Sequence, residues 1–131
     1  MGNVSSNEAE LKKFMESSDT GPVVMVNLLR FKTETENGES GRTVYERYRQ
    51  NAAGFVAGVG GRLLWQGAAS HLIVGTEEQR WDKVLLVEYP SKKAFSEMVG
   101  NPDFMAVQQD RVAALEETVL LDTTTDGGSL V

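Results

Sequence analysis

The chain has no cysteine, one histidine and three prolines in 131 residues. Without cysteine there is no disulfide frame, no thiolate nucleophile and no Cys-type zinc site. A reducing compartment suits such a chain, and the expected location is cytoplasmic. No apolar run approaches the ~20 residues a membrane helix needs, and the N-terminus lacks the basic-then-apolar pattern of a secretion signal. Basic charge is scarce, with 13 Lys and Arg against 19 Asp and Glu, a net charge of −6. Nucleic acid and anionic membrane surfaces both select for basic patches, so neither is an expected partner. A lone histidine with no carboxylates spaced around it offers no metal site. There is no Walker-type loop, no calcium-loop spacing among the acids at 34–39, and no Gly-x-Ser-x-Gly elbow. Gly58-Val59-Gly60-Gly61 follows a helix and precedes a strand, the reverse of a dinucleotide loop. No cofactor is expected.

What is present is a core. Apolar residues make up 40% of the chain, enough for one domain. The organising stretch is Trp81-Asp82-Lys83-Val84-Leu85-Leu86-Val87-Glu88-Tyr89-Pro90-Ser91, a strand that runs into a helix cap. Val84 and Leu86 fall on one face, and Leu85 and Val87 on the other. Val23 to Lys32 behaves alike: Val24, Val26 and Leu28 line one face, while Val23, Met25, Asn27, Leu29 and Phe31 line the other. Helical spacing marks residues 7–17 and 43–59, the second closed by Gly60-Gly61. A strand is expected from Arg62 to about Gly75, kinked near Gly67. Ser91 caps a helix from Lys92 to Val99. Asn101-Pro102-Asp103 starts another, expected to reach about Glu116 before a last strand from Thr118 to Asp122.

The order is a helix followed by β-α-β-β-α-β, the ferredoxin-like plan with an extra N-terminal helix and a four-stranded antiparallel sheet. Right-handed crossovers place strands one and three centrally. These are the two strands with apolar residues on both faces. Helices of one small domain cover only one face of a sheet, so a second copy of the chain is expected on the other. The expected segments are an N-terminal arm and helix over 1–19, the α+β domain over 20–123, and a flexible tail over 124–131. Met1 to Ser6 fits the N-myristoylation pattern at Gly2. The simpler reading is an arm whose serines and Asn7 cap the first helix.

Several short blocks resemble the DUF1330 family: Val26-Asn27-Leu28-Leu29-Arg30-Phe31-Lys32, Gly60-Gly61-Arg62-Leu63-Leu64-Trp65, Trp81-Asp82, Tyr89-Pro90-Ser91, Asn101-Pro102-Asp103-Phe104 and Arg111-Val112-Ala113-Ala114-Leu115. They span roughly residues 20–122. The resemblance implies a homodimeric α+β barrel. The wider barrel group includes cofactor-free monooxygenases, lactone isomerases and haem enzymes, and no motif here selects among them.

Arg111 is the most informative polar residue. It lies on the face that Phe104, Val107 and Leu115 define, with Gln108 beside it. A guanidinium there meets a ligand anion, pairs with a carboxylate such as Glu88, or snorkels to water. Asn27 interrupts an apolar central strand and either holds a ligand or bonds a neighbour. Tyr45 and Tyr48 either orient a ligand and donate protons or serve as core. His71 is a general base, a haem ligand of the kind barrel relatives imply, or a solvent-facing residue. Trp65 and Trp81 wall an aromatic ligand, or pack in the core or at a dimer seam. Two functions follow. One is a homodimeric binding protein with a pocket lined by Asn27, Tyr48, Trp65 and Arg111, taking a small partly apolar ligand that is anionic if Arg111 meets it. The other is a cofactor-independent monooxygenase- or isomerase-like enzyme on an aromatic or lactone-type substrate, with His71 or Tyr45 as catalytic residues handling protons.

Overall fold

Four strands form one antiparallel sheet in the order β2-β3-β1-β4, where β1 is Val23–Phe31, β2 Arg62–Ala68, β3 Lys83–Tyr89 and β4 Leu115–Thr123. Strands one and three are central, as the two-sided apolar pattern requires. The computed structural model describes residues 3–128, so Gly2 and the last part of the tail lie outside it. The helices are α1 (Glu8–Glu16), α2 (Gly41–Gly58), α3 (Lys92–Val99) and α4 (Pro102–Ala114). Among the described residues no helix is long and apolar enough to cross a membrane.

Each helix starts where a polar side chain takes up an orphan backbone N–H. Asn7 Oδ1 accepts from Glu10 N at 3.2 Å, Ser40 Oγ from Thr43 N at 3.1 Å, Ser91 Oγ from Ala94 N at 3.0 Å, and Asn101 Oδ1 from Asp103 N at 2.9 Å. Gly60, at φ +86°, turns the chain out of α2. Another glycine matters for space alone. Gly41 sits where the starts of α2 and the ends of β1 and α4 meet, and a Cβ there would run into the carbonyls of Lys32 and Ala114.

Three boundaries differ from the sequence reading. β2 stops at Ala68 rather than Gly75, and residues 69–82 form a loop with one 3-10 turn at Glu77–Gln79. Arg30 pins that loop, donating from Nε to the Arg80 carbonyl at 2.9 Å and from Nη2 to the Glu78 carbonyl at 2.7 Å. The end of the chain also departs: α4 ends at Ala114 and β4 begins at Leu115 with no turn between. Pairing with β1 decides this, because Lys32 N donates to the Ala114 carbonyl at 2.9 Å and Leu115 lies opposite Phe31. Finally, the irregularity in β2 lies between Leu63 and Trp65, not near Gly67. Leu63 pairs with Val87, but Trp65 pairs with Leu86. The one-residue slip moves Trp65 to the opposite face of the sheet.

All helices pack on one side. Val23, Met25, Tyr89, Phe95, Met98 and Phe104 form one buried cluster, and Leu29, Val44, Tyr45, Leu85 and Leu115 form another. α1 joins through Phe14, edge-on to Phe95 at 5.5 Å. Asn3 lies along the free edge of β4, its carbonyl accepting from Thr118 N at 3.0 Å. Among the described residues the other side of the sheet carries no helix. There Val24, Val26, Leu28, Val84, Leu86 and Val119 are half-buried, while Trp65 and Leu121 are about half exposed at 50% and 51%. The Arg62–Glu88 pair (3.0 Å) and the Arg30–Glu117 pair (2.9 Å) bound this apolar band at its two ends.

Candidate functional site

A cavity of about 340 Å³ lies between the sheet and the helices. Its floor is Met25 and Asn27 of β1 with Leu85, Val87 and Tyr89 of β3. α2 supplies Tyr45, Tyr48, Ala52 and Val56; α3 and α4 supply Phe95, Met98, Phe104, Gln108 and Arg111. Alternation explains the strand residues, since all five point to the helix side. Helical spacing explains the rest: Tyr45, Tyr48 and Ala52 share one face of α2, and Phe104, Gln108 and Arg111 one face of α4. Exposed lining residues Ala53, Ala57, Arg62 and Leu63 mark the opening between α2 and β2.

The polar groups gather at one pole. Arg111 is 8% exposed. Its Nη2 donates to Thr118 Oγ1 at 3.2 Å and, at the long end of hydrogen bonding, to Asn27 Oδ1 at 3.4 Å. Thr118 in turn donates to the Leu28 carbonyl at 2.9 Å. No carboxylate among the described residues forms an ion pair with Arg111. Glu88, the partner considered from sequence, points to the other face of the sheet and pairs with Arg62. Arg111 is therefore a buried cation held only by neutral acceptors.

Three tyrosines share the cavity with it. The rings of Tyr45 and Tyr48 lie 5.4 Å apart, and Tyr89 packs edge-on to Phe95 at 5.1 Å. Burial raises the Tyr45 hydroxyl pKa to about 12, against the opposing pull of the Arg111 charge. Burial also pushes Tyr48 and Tyr89 above the usual phenol range. All three are neutral donors at neutral pH. Among the described residues no Asp, Glu or His lines the cavity.

The sequence candidates divide cleanly. Asn27, Tyr45, Tyr48 and Arg111 come together. Trp65 does not join them: it lies on the opposite face of the sheet, its indole over Gly67, because of the β2 slip. His71 does not either. It is exposed on the 69–82 loop and absent from the cavity wall, since the strand expected to carry it ends three residues earlier. Trp81 packs under Arg30, whose guanidinium carbon is 5.2 Å from the ring centre. Asp82 accepts from Phe31 N at 2.9 Å and closes the end of β1 rather than facing the cavity. Tyr89 was missed as a site residue, although alternation from Leu85 and Val87 puts it on the same face.

Fold and site together define a ferredoxin-like α+β protein with a largely apolar cavity, open between α2 and β2, and one buried arginine. The chain belongs to the family described as a domain of unknown function, DUF1330, whose profile matches residues 40–123. The match leaves β1 outside, so the Val26–Lys32 block that suggested the family from about residue 20 is not part of it. A protein of unknown function from Rhodopseudomonas palustris is 26% identical and superimposes at a TM-score of 0.91 over 98% of this chain and 100% of its own. A hydroxynitrile lyase from Passiflora edulis is 10% identical at a TM-score of 0.62, over 85% of this chain and 100% of its own. A dimeric protein of unknown function with a ferredoxin-like fold, from Bacteroides fragilis, is 12% identical at 0.55, over 80% and 97%. The last two likenesses concern the fold alone. A comparison with curated proteins returns no match.

Proposed function

We propose that the chain is a homodimeric binding protein that holds a small, partly apolar anion in the cavity between sheet and helices. The observation that carries this reading is Arg111, 8% exposed and without a carboxylate partner among the described residues. Burying a cation against neutral acceptors leaves an incomplete ion pair, which an entering anion completes. Arg111, Asn27 and Tyr48 are the ligand-binding residues on this reading, and Tyr45 serves as a neutral donor beside them.

The cavity favours binding over cofactor-independent turnover. General base catalysis near neutral pH needs a group that is deprotonated there. The titratable groups on the wall are arginines and tyrosines, and burial keeps the tyrosine hydroxyls protonated. The dimer is supported by the uncovered apolar band across all four strands, with Trp65 and Leu121 exposed on it, and by the dimeric protein of the same fold. Copies packed through that band leave each cavity on the outer side, one per subunit.

Thermal melting with a panel of small acids and their neutral amides tests the binding reading. A ligand at a hundredfold its Kd adds about 2.7 kcal/mol of stability. Acids are expected to stabilise the wild type more than the amides, and Arg111→Leu to erase the difference while sedimentation still reports a dimer. Equal stabilisation of wild type and variant by the acids would defeat the site assignment. A well-folded single chain at micromolar concentration would defeat the dimer.

A further inference from the structure

We propose that the ligand is a monocarboxylate built on a single aromatic ring, seated ring-inward with its carboxylate on Arg111. The proposal rests on the reading of the cavity as a ligand site and names the class of molecule that site selects.

The charge comes from the donors still free. A guanidinium carries five N–H groups in a planar fork that matches a carboxylate through two of its nitrogens. In Arg111 the internal bonds run through Nη2, and one of them, to Asn27 Oδ1, is stretched to 3.4 Å. A carboxylate spanning Nη1 and Nη2 displaces that long contact at little cost. The Asn27 amide is weakly held from its other end as well, its Nδ2 reaching the Met25 carbonyl at 3.5 Å. Once released, it can turn an N–H toward the same carboxylate.

One negative charge is the limit. The other cations on the wall, Arg49 and Arg62, sit at the rim and are engaged by Glu46 and Glu88, at 2.7 and 3.0 Å. A second carboxylate deeper in the cavity would lose its hydration with nothing to pair it. The ring follows from the remaining wall. Phe95, Phe104, the three tyrosines, Met25 and Met98 line the wall, and aromatic rings and thioethers are favourable partners of a flat π-face. A volume of about 340 Å³ is near the lower end of ligand sites, about 300–1,000 Å³. It holds one ring and is too small to enclose a dinucleotide or a long acyl chain.

Calorimetry on the full chain with benzoate, benzyl alcohol, hexanoate and phthalate separates these features. Benzoate is expected to bind one per subunit, at least tenfold tighter than each of the other three. Ala52→Leu fills the cavity from α2 without touching Arg111 and is expected to weaken benzoate at least tenfold. Arg111→Gln is expected to bring benzoate down to the level of benzyl alcohol. Should that variant not fold, the wild-type series and Ala52→Leu decide alone. Benzyl alcohol within threefold of benzoate, both lost in Ala52→Leu, overturns the carboxylate and leaves the cavity reading standing. Hexanoate or phthalate binding tighter than benzoate overturns the ring or the single charge in the same way. Benzoate binding that survives Ala52→Leu, or no binding of any probe, overturns the proposal and the cavity reading together.

Discussion

Raising the pH should reveal an unusual silence in this protein. The chain has three tyrosines, and Tyr45, Tyr48 and Tyr89 all line the cavity. Tyrosinate absorbance therefore reports on the cavity and nothing else. Burial lifts Tyr45 from 10.0 to about 12 and moves the other two in the same direction. Between those values the unfolded chain has lost the Tyr45 proton and the folded chain has kept it. Stability is thus fully present below pH 10 and declines as the pH rises toward about 12. Two pK units at about 1.4 kcal/mol each make the loss about 3 kcal/mol for this one hydroxyl. Such a loss is a large part of the ~5–15 kcal/mol that holds a domain together. A spectrophotometric titration followed beside far-UV circular dichroism makes the test. Native protein is expected to show less tyrosinate near pH 10 than the unfolded chain, then a steep rise coincident with loss of the fold. A smooth titration centred near pH 10 with the dichroism intact would mean that the tyrosines are wet and the cavity walls open.

Other perturbations have clear expected outcomes. Leu86→Asp places a carboxylate in the middle of the uncovered apolar band; sedimentation should show loss of the dimer or of folding, and an unchanged dimer would refute the interface. Gly41→Ala pushes a methyl into the carbonyls of Lys32 and Ala114, and denaturant unfolding should show a loss of about 1–3 kcal/mol, as overpacked cores do. Phe104→Ala removes a ring that is 2% exposed against Phe55 and should cost about 3–5 kcal/mol in the same assay. His71→Ala should leave stability within about 0.5 kcal/mol and binding of small acids unchanged, because the imidazole is exposed on a loop away from the cavity.

Much of this architecture is legible in the residues. The doubled apolar faces of Val23–Phe31 and Lys83–Tyr89 identify the central strands, and Asn7, Ser91 and Asn101 announce the helix starts that they cap. Arg111 stood out because helical spacing put a cation among Phe104, Val107 and Leu115. What escaped was decided by partners distant in sequence. Leu115 is drawn into β4 by pairing with β1, against a helical pattern that carried on to Glu116. Trp65 faces away from the cavity because of a slip that strict alternation cannot register. His71 follows an apolar stretch that reads as strand but lies in a loop whose far end, at Glu78 and Arg80, is held by Arg30. That Glu88 does not pair with Arg111 was legible, since the alternation that puts Leu85, Val87 and Tyr89 on the cavity face puts Glu88 on the other, where it meets Arg62.

The most direct measurement is a crystal structure of the chain grown with benzoate. The expected result is carboxylate density within hydrogen-bonding distance of Nη1 and Nη2 of Arg111, with the ring enclosed by Phe95, Phe104 and the tyrosines. An Arg111 paired with a carboxylate of the protein itself, or a cavity closed by its own side chains, would contradict it.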